Sequence, residues 1–85
     1  MPTNCQKAFE TAAAKIMQLP HDYLNLKIKD NILREDDWDA VNTEFCFELG
    51  KVDCVIVESE LDPYWSENKT FKDLLEYVSE NCDCV

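Results

Sequence analysis

The scarcity of glycine restricts this chain most strongly, because Gly50 is the only glycine among its 85 residues. Tight β-hairpins usually depend on Gly or Asn-Gly in their turns. One glycine and three prolines leave little material for such turns. The sequence therefore predicts an all-α fold rather than a sheet built from hairpins.

The length and the composition predict a single domain over residues 1–85. A chain of this size has room for one hydrophobic core. Its 46% hydrophobic and 31% charged residues are typical of a globular protein. No apolar run is long enough to span a bilayer, and residues 1–4 lack the features of a secretory signal. These observations predict a cytoplasmic protein without membrane partners.

The first helix is predicted at about residues 4–18, where apolar side chains recur at helical spacing. Thr3 and Gln6 have the spacing of a capping box at its start. Pro20 ends it, because a proline disfavours helical angles in the preceding residue. The core-facing stripe predicted for this helix is Cys5, Ala8, Phe9, Ala12, Ala13, Ile16 and Met17.

Two further helices are predicted at about 37–49 and 70–81. The first begins in an acidic run, which suits the positive end of a helix dipole, and Gly50 is expected to end it in a left-handed conformation. Thr70 and Asp73 are expected to cap the second. The predicted stripes are Trp38, Val41, Phe45 and Leu49 in one helix, and Phe71, Leu74, Leu75, Val78 and Cys82 in the other.

The connecting segments leave alternatives open. Residues 23–29 and 52–57 have strand-like patterns and could form a short strand pair. An extended loop that places Leu26, Ile28 and Leu33 in the core explains residues 19–34 equally well. The segment 61–65 is interpreted as a kinked aromatic stretch around Pro63.

The charge is strongly negative and unevenly placed. The net charge is −10, and the stretch from Glu35 to Glu67 holds eleven carboxylates against one base, Lys51. We therefore expect no nucleic-acid partner bound by phosphate neutralisation. Such a surface attracts basic partners over a Debye length of about 10 Å.

The five cysteines are expected to be reduced and free of metal. An odd number and no visible secretory signal argue against a disulfide framework. Cys5, Cys46 and Cys54 are interpreted as small core residues, and residues 82–85 as a frayed tail. The single histidine, His21, has no partner for a catalytic or zinc site, so no enzyme activity, metal or cofactor is predicted.

Three stretches resemble the acyl carrier protein family, which consists of acidic four-helix domains of this length. Residues 36–41, Asp-Asp-Trp-Asp-Ala-Val, stand where the family has Asp-Ser-Leu-Asp at the start of its second helix. Residues 50–56 resemble the exit from that helix. Residues 70–78 are similar to the final helix, which runs Thr-x-x-Asp-Leu-x-x-Tyr-Ile.

The resemblance implies the carrier fold without the carrier chemistry. The serine that holds phosphopantetheine in the family falls on Asp37, and a carboxylate cannot form that phosphodiester. The segment around Tyr64 and Trp65 also departs from the pattern. On this resemblance we expect an acyl-carrier-like helical bundle of three to four helices.

Two functions are consistent with these features. The first is a non-catalytic binding module that docks on a basic protein surface through the second helix. The second is an acidic inhibitor, of the immunity or nucleic-acid-mimic type, that occludes a basic groove. The expected contact residues of the first are Glu35, Asp36, Asp37, Glu44, Phe47 and Glu48, with Phe47 either exposed to a partner or buried under residues 19–34.

Overall fold

The computed structural model describes residues 2–85, and these form an all-α fold, as the sequence predicts. The described residues contain five α-helices and one short 3₁₀ turn, Tyr23–Asn25. The helices are α1 (Asn4–Ala14), α2 (Ile28–Asn31), α3 (Glu35–Gly50), α4 (Glu58–Ser66) and α5 (Phe71–Asn81). None of these helices is both long and apolar enough to cross a membrane.

One hydrophobic core joins all five helices, and α1 packs mainly on α3. Its centre is the ring of Phe9, which lies 5.0 Å from Phe45, 5.6 Å from Phe71 and 5.9 Å from Tyr23, centroid to centroid. Aromatic pairs at such distances contribute about 0.5–1.5 kcal/mol each beyond the area they bury. The stripe predicted for α3 is fully buried, and Trp38 is its largest member.

The predicted caps of α1 and α5 are confirmed. The hydroxyl of Thr3 accepts a hydrogen bond from the Gln6 amide at 3.1 Å. Thr70 and Asp73 cap α5 reciprocally, with each side chain accepting from the other residue's amide. These bonds satisfy amides that have no partner inside the helix.

The left-handed conformation predicted for Gly50 occurs instead at Asp53, whose φ is 60°. The chain continues beyond α3 in tight turns. The Asp53 amide donates to the Gly50 carbonyl, and the Cys54 amide donates to that of Leu49. This is the Schellman pattern, shifted so that its left-handed position falls three residues after the glycine. Aspartate tolerates that conformation better than most residues.

Residues 52–57 form no strand, and the described residues contain no strand pair. The side chains alternate as they would in a strand, with Cys54 and Ile56 buried and Val55 88% exposed. The expected partner, residues 23–29, does not pair with this segment. Within it, Lys27 instead forms an isolated bridge with Thr70. The β-branched run therefore remains an extended linker.

Helix α4 was not predicted, since Pro63 lies inside it. The Glu60 carboxylate accepts from the Val57 amide at 3.0 Å and stabilises the first turn. Leu61 is completely buried and anchors the helix to the core. The free energy gained from burying Leu61 and from the Glu60 cap thus outweighs the loss of the backbone hydrogen bond that Pro63 cannot donate.

The segment 19–34 enters the core with a different set of side chains from the one predicted. Ile28 is buried as expected, but Leu26 is 38% exposed and Leu33 is 75% exposed. Tyr23 and Ile32 occupy the core in their place. The 3₁₀ turn and the short α2 change the register of the segment, so alternation along it does not identify the buried residues.

The expectation of reduced cysteines is wrong, because the structure contains two disulfides. Cys5 pairs with Cys84, with a Cα–Cα distance of 5.4 Å, and Cys54 pairs with Cys82 at 5.5 Å. The odd number arises because Cys46 is left free. Burial raises the pKa of the Cys46 thiol to about 11, which makes it a poor nucleophile.

The C-terminal tail is held in place rather than frayed. Besides the Cys84 disulfide, the Asn4 amide donates to the Val85 carbonyl at 2.7 Å, and the Val85 amide donates to the Asn4 side chain at 3.1 Å. These contacts were not predicted because they join residues about 80 positions apart in the chain.

The exposed face of α3 as a candidate interaction site

The solvent side of α3 carries one exposed stripe along its length. Asp36, Asp39, Thr43 and Phe47 are all exposed, and they recur every three or four residues, which places them on one side of the helix. Asp36 and Phe47 are about three turns, or roughly 16 Å, apart along the axis. The core stripe holds the opposite side, so the exposed face has a fixed orientation.

The first turn of α3, residues 35–37, forms the acidic end of the exposed face. Glu35, Asp36 and Asp37 are exposed there, where the helix dipole favours negative charge. Arg34 Nη2 lies 3.7 Å from Asp36 Oδ2, but both side chains are largely exposed. An ion pair of this kind contributes about 0–1 kcal/mol and is screened by salt. These carboxylates therefore remain available to a partner.

Glu44 and Glu48 are engaged within the protein. Lys15 Nζ lies 3.0 Å from Glu44 and 3.3 Å from Glu48, and Lys51 Nζ lies 3.0 Å from Glu48. The hydrogen bond from Lys51 is the main reason that the pKa of Glu48 is lowered. The hydrogen bond to Glu44 is the main reason that the pKa of Lys15 is raised. The Glu48 side chain is only 10% exposed, and its charge is paired with both lysines.

Phe47 is exposed, and the alternative of burial under residues 19–34 is wrong. Its side chain retains 59% exposure. Two ammonium groups lie near its ring, with Lys51 Nζ 4.7 Å and Lys15 Nζ 5.8 Å from the centroid. The C-terminal end of the exposed face is thus apolar, and its two lysines are balanced by Glu44 and Glu48, in contrast to the acidic end.

The sequence did not indicate that Lys15 and Lys51 belong to this site. The contact between Glu48 and Lys51 spans three positions in the chain, a spacing at which side chains meet on a helix or its continuation. The contact of Lys15 with Glu44 depends on how α1 packs against α3, and no local pattern indicates it.

A buried polar contact fixes α3 against α4. Asn42 is completely buried, and its amide donates to the Glu58 carbonyl at 3.0 Å and to Asp62 Oδ1 at 2.9 Å. Among the described residues, Trp38 Nε1 is the one buried side-chain polar atom without a hydrogen-bond partner. Trp38 therefore acts through packing, whereas Asn42 sets the relative position of the two helices.

Within residues 2–85, no group of three or more His, Cys, Asp or Glu side chains could hold a metal ion. His21 is exposed and lines an open groove of about 1010 Å³ between α1 and the segment that follows it. On α3, Asp37 occupies the position where the carrier resemblance places the modified serine. Its side chain is exposed and borders a smaller cavity of about 270 Å³.

No family model, curated protein or solved structure matches this chain. The interpretation of the site therefore depends on its geometry and charge.

Proposed function

We propose that this chain is a non-catalytic, acyl-carrier-like binding module that docks on a basic protein surface through α3. One observation carries the proposal: α3 presents Phe47, 59% exposed, on the same face as the carboxylate of Asp36. Aromatic side chains are enriched at the centres of protein contact surfaces, whose rims are polar.

The order and lengths of the helices support the carrier-like part of the proposal. An 11-residue helix is followed by a long connection, a 16-residue helix, and helices of 9 and 11 residues. The acidic second long helix and the final helix with its threonine cap lie where the resemblance places them. Asp37 in place of serine leaves a module that docks but carries no acyl group.

The two ends of the exposed face have different roles in this proposal. The acidic end, residues 35–37, steers and orients a basic partner, since exposed charges act mainly on association rate. Phe47 anchors the complex, because apolar side chains in central pockets carry most of the binding free energy. Glu44 and Glu48 contribute by holding Lys15 and Lys51 beside the ring.

Site-specific photocrosslinking tests this assignment. A photoreactive phenylalanine analogue at position 47 should crosslink to a partner in extracts of the source cells, and added salt should suppress the product. The same analogue at position 55 is the control, because Val55 is also exposed but lies outside α3. Equal crosslinking at both positions would refute docking through α3.

The second candidate is the acidic inhibitor, and one observation favours it. Carboxylates are not confined to α3, since seven exposed ones lie on or beside α4 and α5. These are Glu58, Glu60, Asp62, Glu67, Asp73, Glu76 and Glu80. If the protein occludes a basic groove, neutralising Glu58, Glu60 and Asp62 should abolish binding, whereas changes on α3 should not.

The two disulfides bear on the compartment. Because disulfides persist mainly in oxidising environments, we infer that the protein works in such a compartment rather than in the cytoplasm. If intact cells are quenched in acid and the protein is then denatured and alkylated without reductant, only Cys46 should be labelled. Labelling of all five cysteines would restore the cytoplasmic prediction.

A further inference from the structure

A groove between α4 and α5 lies outside the site on α3. Its volume is about 440 Å³, within the range of ligand-binding clefts. Its lining comes from residues 60–69, on and just after α4, and from residues 73–80 on α5.

The two helices contribute the same arrangement of side chains to this groove. Each supplies a carboxylate, a tyrosine four positions later and another carboxylate three positions after that. The sets are Glu60, Tyr64 and Glu67 on α4 and its C-terminal cap, and Asp73, Tyr77 and Glu80 on α5. This spacing places each set along one edge of its helix, so the groove has two acidic rims.

Its apolar surface is a pair of tyrosine rings. Tyr64 and Tyr77 lie 5.5 Å apart, centroid to centroid. The Tyr77 hydroxyl donates to Glu60 Oε1 at 2.8 Å, which ties the rims together at one end. Burial, followed by the carboxylates of Glu80, Asp73 and Glu67, raises the pKa of Tyr64. The negative charge of these three carboxylates therefore acts on the Tyr64 side chain itself.

The carboxylates of this groove are not neutralised by ion pairs within the described chain. The four ion pairs of residues 2–85 all involve Lys15, Arg34 or Lys51. The lining itself has five carboxylates and a single cation, Lys69, which leaves a formal charge of −4. A concave aromatic surface with this excess charge is complementary to a cation that has a flat or apolar part.

We propose that this groove binds an extended, arginine-containing segment of a partner protein, independently of docking through α3. A guanidinium group stacks on tyrosine and bonds carboxylates in a bidentate manner, which an ammonium group does less well. Asp73, Glu76 and Glu80 extend over about 10 Å of α5, the length of about three extended residues. Side chains two positions apart point to the same face of an extended peptide, so the spacing Arg-x-Arg fits best.

Two capped peptides of identical composition test the proposal. They are Ala-Arg-Ala-Arg-Ala and Ala-Ala-Arg-Arg-Ala, titrated into the isotopically labelled, disulfide-bonded protein at about 50 mM salt. The first should shift the amide resonances of α4 and α5 and bind about threefold more tightly than the second. Equal affinities, or shifts centred on α3, would overturn the proposal.

Matched charge variants distinguish specific binding in the groove from nonspecific attraction of the peptide to an acidic protein. Glu76→Gln with Glu80→Gln should weaken binding of the first peptide about fivefold, as expected for the loss of two exposed ion pairs. Asp22→Asn with Asp30→Asn removes the same charge from exposed positions outside both the groove and the exposed face of α3, and it should change affinity less than twofold. Equal weakening by both pairs would refute a specific groove.

Two further titrations examine other occupants. Spermidine and Ca²⁺ should each displace the peptide only at concentrations at least tenfold above its dissociation constant. Displacement by either at equal concentration would identify the groove as a site for small polyamines or divalent cations and would overturn the proposal. Tyr77→Leu should also reduce affinity, whereas retained affinity would exclude the stacking contact.

Discussion

Cys5 and Cys84 are 79 positions apart and joined by a disulfide, which closes nearly the whole chain into one loop. In the chain-entropy description, such a loop corresponds to about 4.5 kcal/mol of free energy of unfolding. The second disulfide, between Cys54 and Cys82, lies within this loop and ties the α3–α4 linker to the end of α5. A domain of this size has a small core, so the two cross-links supply a large share of its stability.

We therefore expect reduction to destabilise the protein strongly. The double variant Cys5→Ser with Cys84→Ser should lower the melting temperature by at least about 10 °C, since 1 kcal/mol corresponds to about 4–8 °C at this size. Thermal denaturation followed by circular dichroism, with and without reductant, measures this. Cys46→Ser is the control and should leave the reductant effect unchanged. A reduced protein that melts at the native temperature would contradict the disulfide-bonded fold.

The second prediction concerns Asp37. We expect no modification by a broad-specificity phosphopantetheinyl transferase with coenzyme A, because a carboxylate cannot form the phosphodiester. Intact-mass measurement detects the prosthetic arm, and an authentic acyl carrier protein serves as the positive control. A mass gain in the native chain would show that the chemistry assigned to Asp37 is wrong. The variant Asp37→Ser examines the alignment itself, because a gain confined to it would support the resemblance.

The sequence predicted the features that depend on neighbouring residues. The stripe of α3 and the caps at Thr3 and Thr70 depend on residues within one or two turns, and they are confirmed. The stripe of α5 is confirmed in part, since Leu75 and Cys82 are only partly buried. The end predicted for the first helix is wrong, because α1 ends at Ala14 and Ile16 is exposed. Helix α4 was missed because the cost of Pro63 is local, whereas the compensating burial of Leu61 comes from the tertiary fold.

The features that join distant segments were not predictable in this way. Pairing of Cys5 with Cys84, and of Lys15 with Glu44, requires knowing how α1 lies against the tail and against α3. For the candidate site, sequence reasoning identified Phe47 and the acidic first turn of α3. It did not identify the two lysines beside the ring.

The third prediction concerns acid stability. The pKa of Asp73 is lowered, chiefly because its carboxylate accepts a hydrogen bond from the Thr70 amide. A carboxyl group with a depressed folded-state pKa stabilises the protein above its unfolded pKa and loses that effect as the pH falls through the folded value. The difference in unfolding free energy between the native chain and Asp73→Asn should therefore be larger at pH 7 than at pH 3. Denaturant titrations at both values measure it, and an unchanged difference would exclude the charged cap.

The fourth prediction concerns Asn42. Asn42→Ala removes the two hydrogen bonds that fix α3 against α4 and leaves the Glu58 carbonyl and the Asp62 carboxylate without this donor. We expect a loss of about 1–3 kcal/mol in unfolding free energy, because each of the two hydrogen bonds contributes about 0.5–1.5 kcal/mol. Urea denaturation measures it, with Ser79→Ala on the exposed side of α5 as the control. A loss as small as that of the control would show that the Asn42 contact is not needed.

The last prediction separates the two ends of the exposed face of α3, once crosslinking at position 47 has identified the partner. Glu35→Lys with Asp36→Lys should slow association and flatten its salt dependence, because these exposed carboxylates act through a long-range field. Phe47→Ala should leave association nearly unchanged and speed dissociation by at least tenfold, the effect of losing an anchor side chain.

The internal ion pairs provide the matched comparison for that experiment. Glu44→Gln removes one negative charge from the same helix, but that charge is already paired with Lys15. It should slow association less than Asp37→Asn, which removes an exposed charge from the acidic end. Stopped-flow kinetics at several salt concentrations distinguish these effects, with circular dichroism to verify folding. If all the α3 variants bind like the native chain while Glu58→Gln, Glu60→Gln and Asp62→Asn abolish binding, docking through α3 is wrong and the acidic inhibitor is favoured.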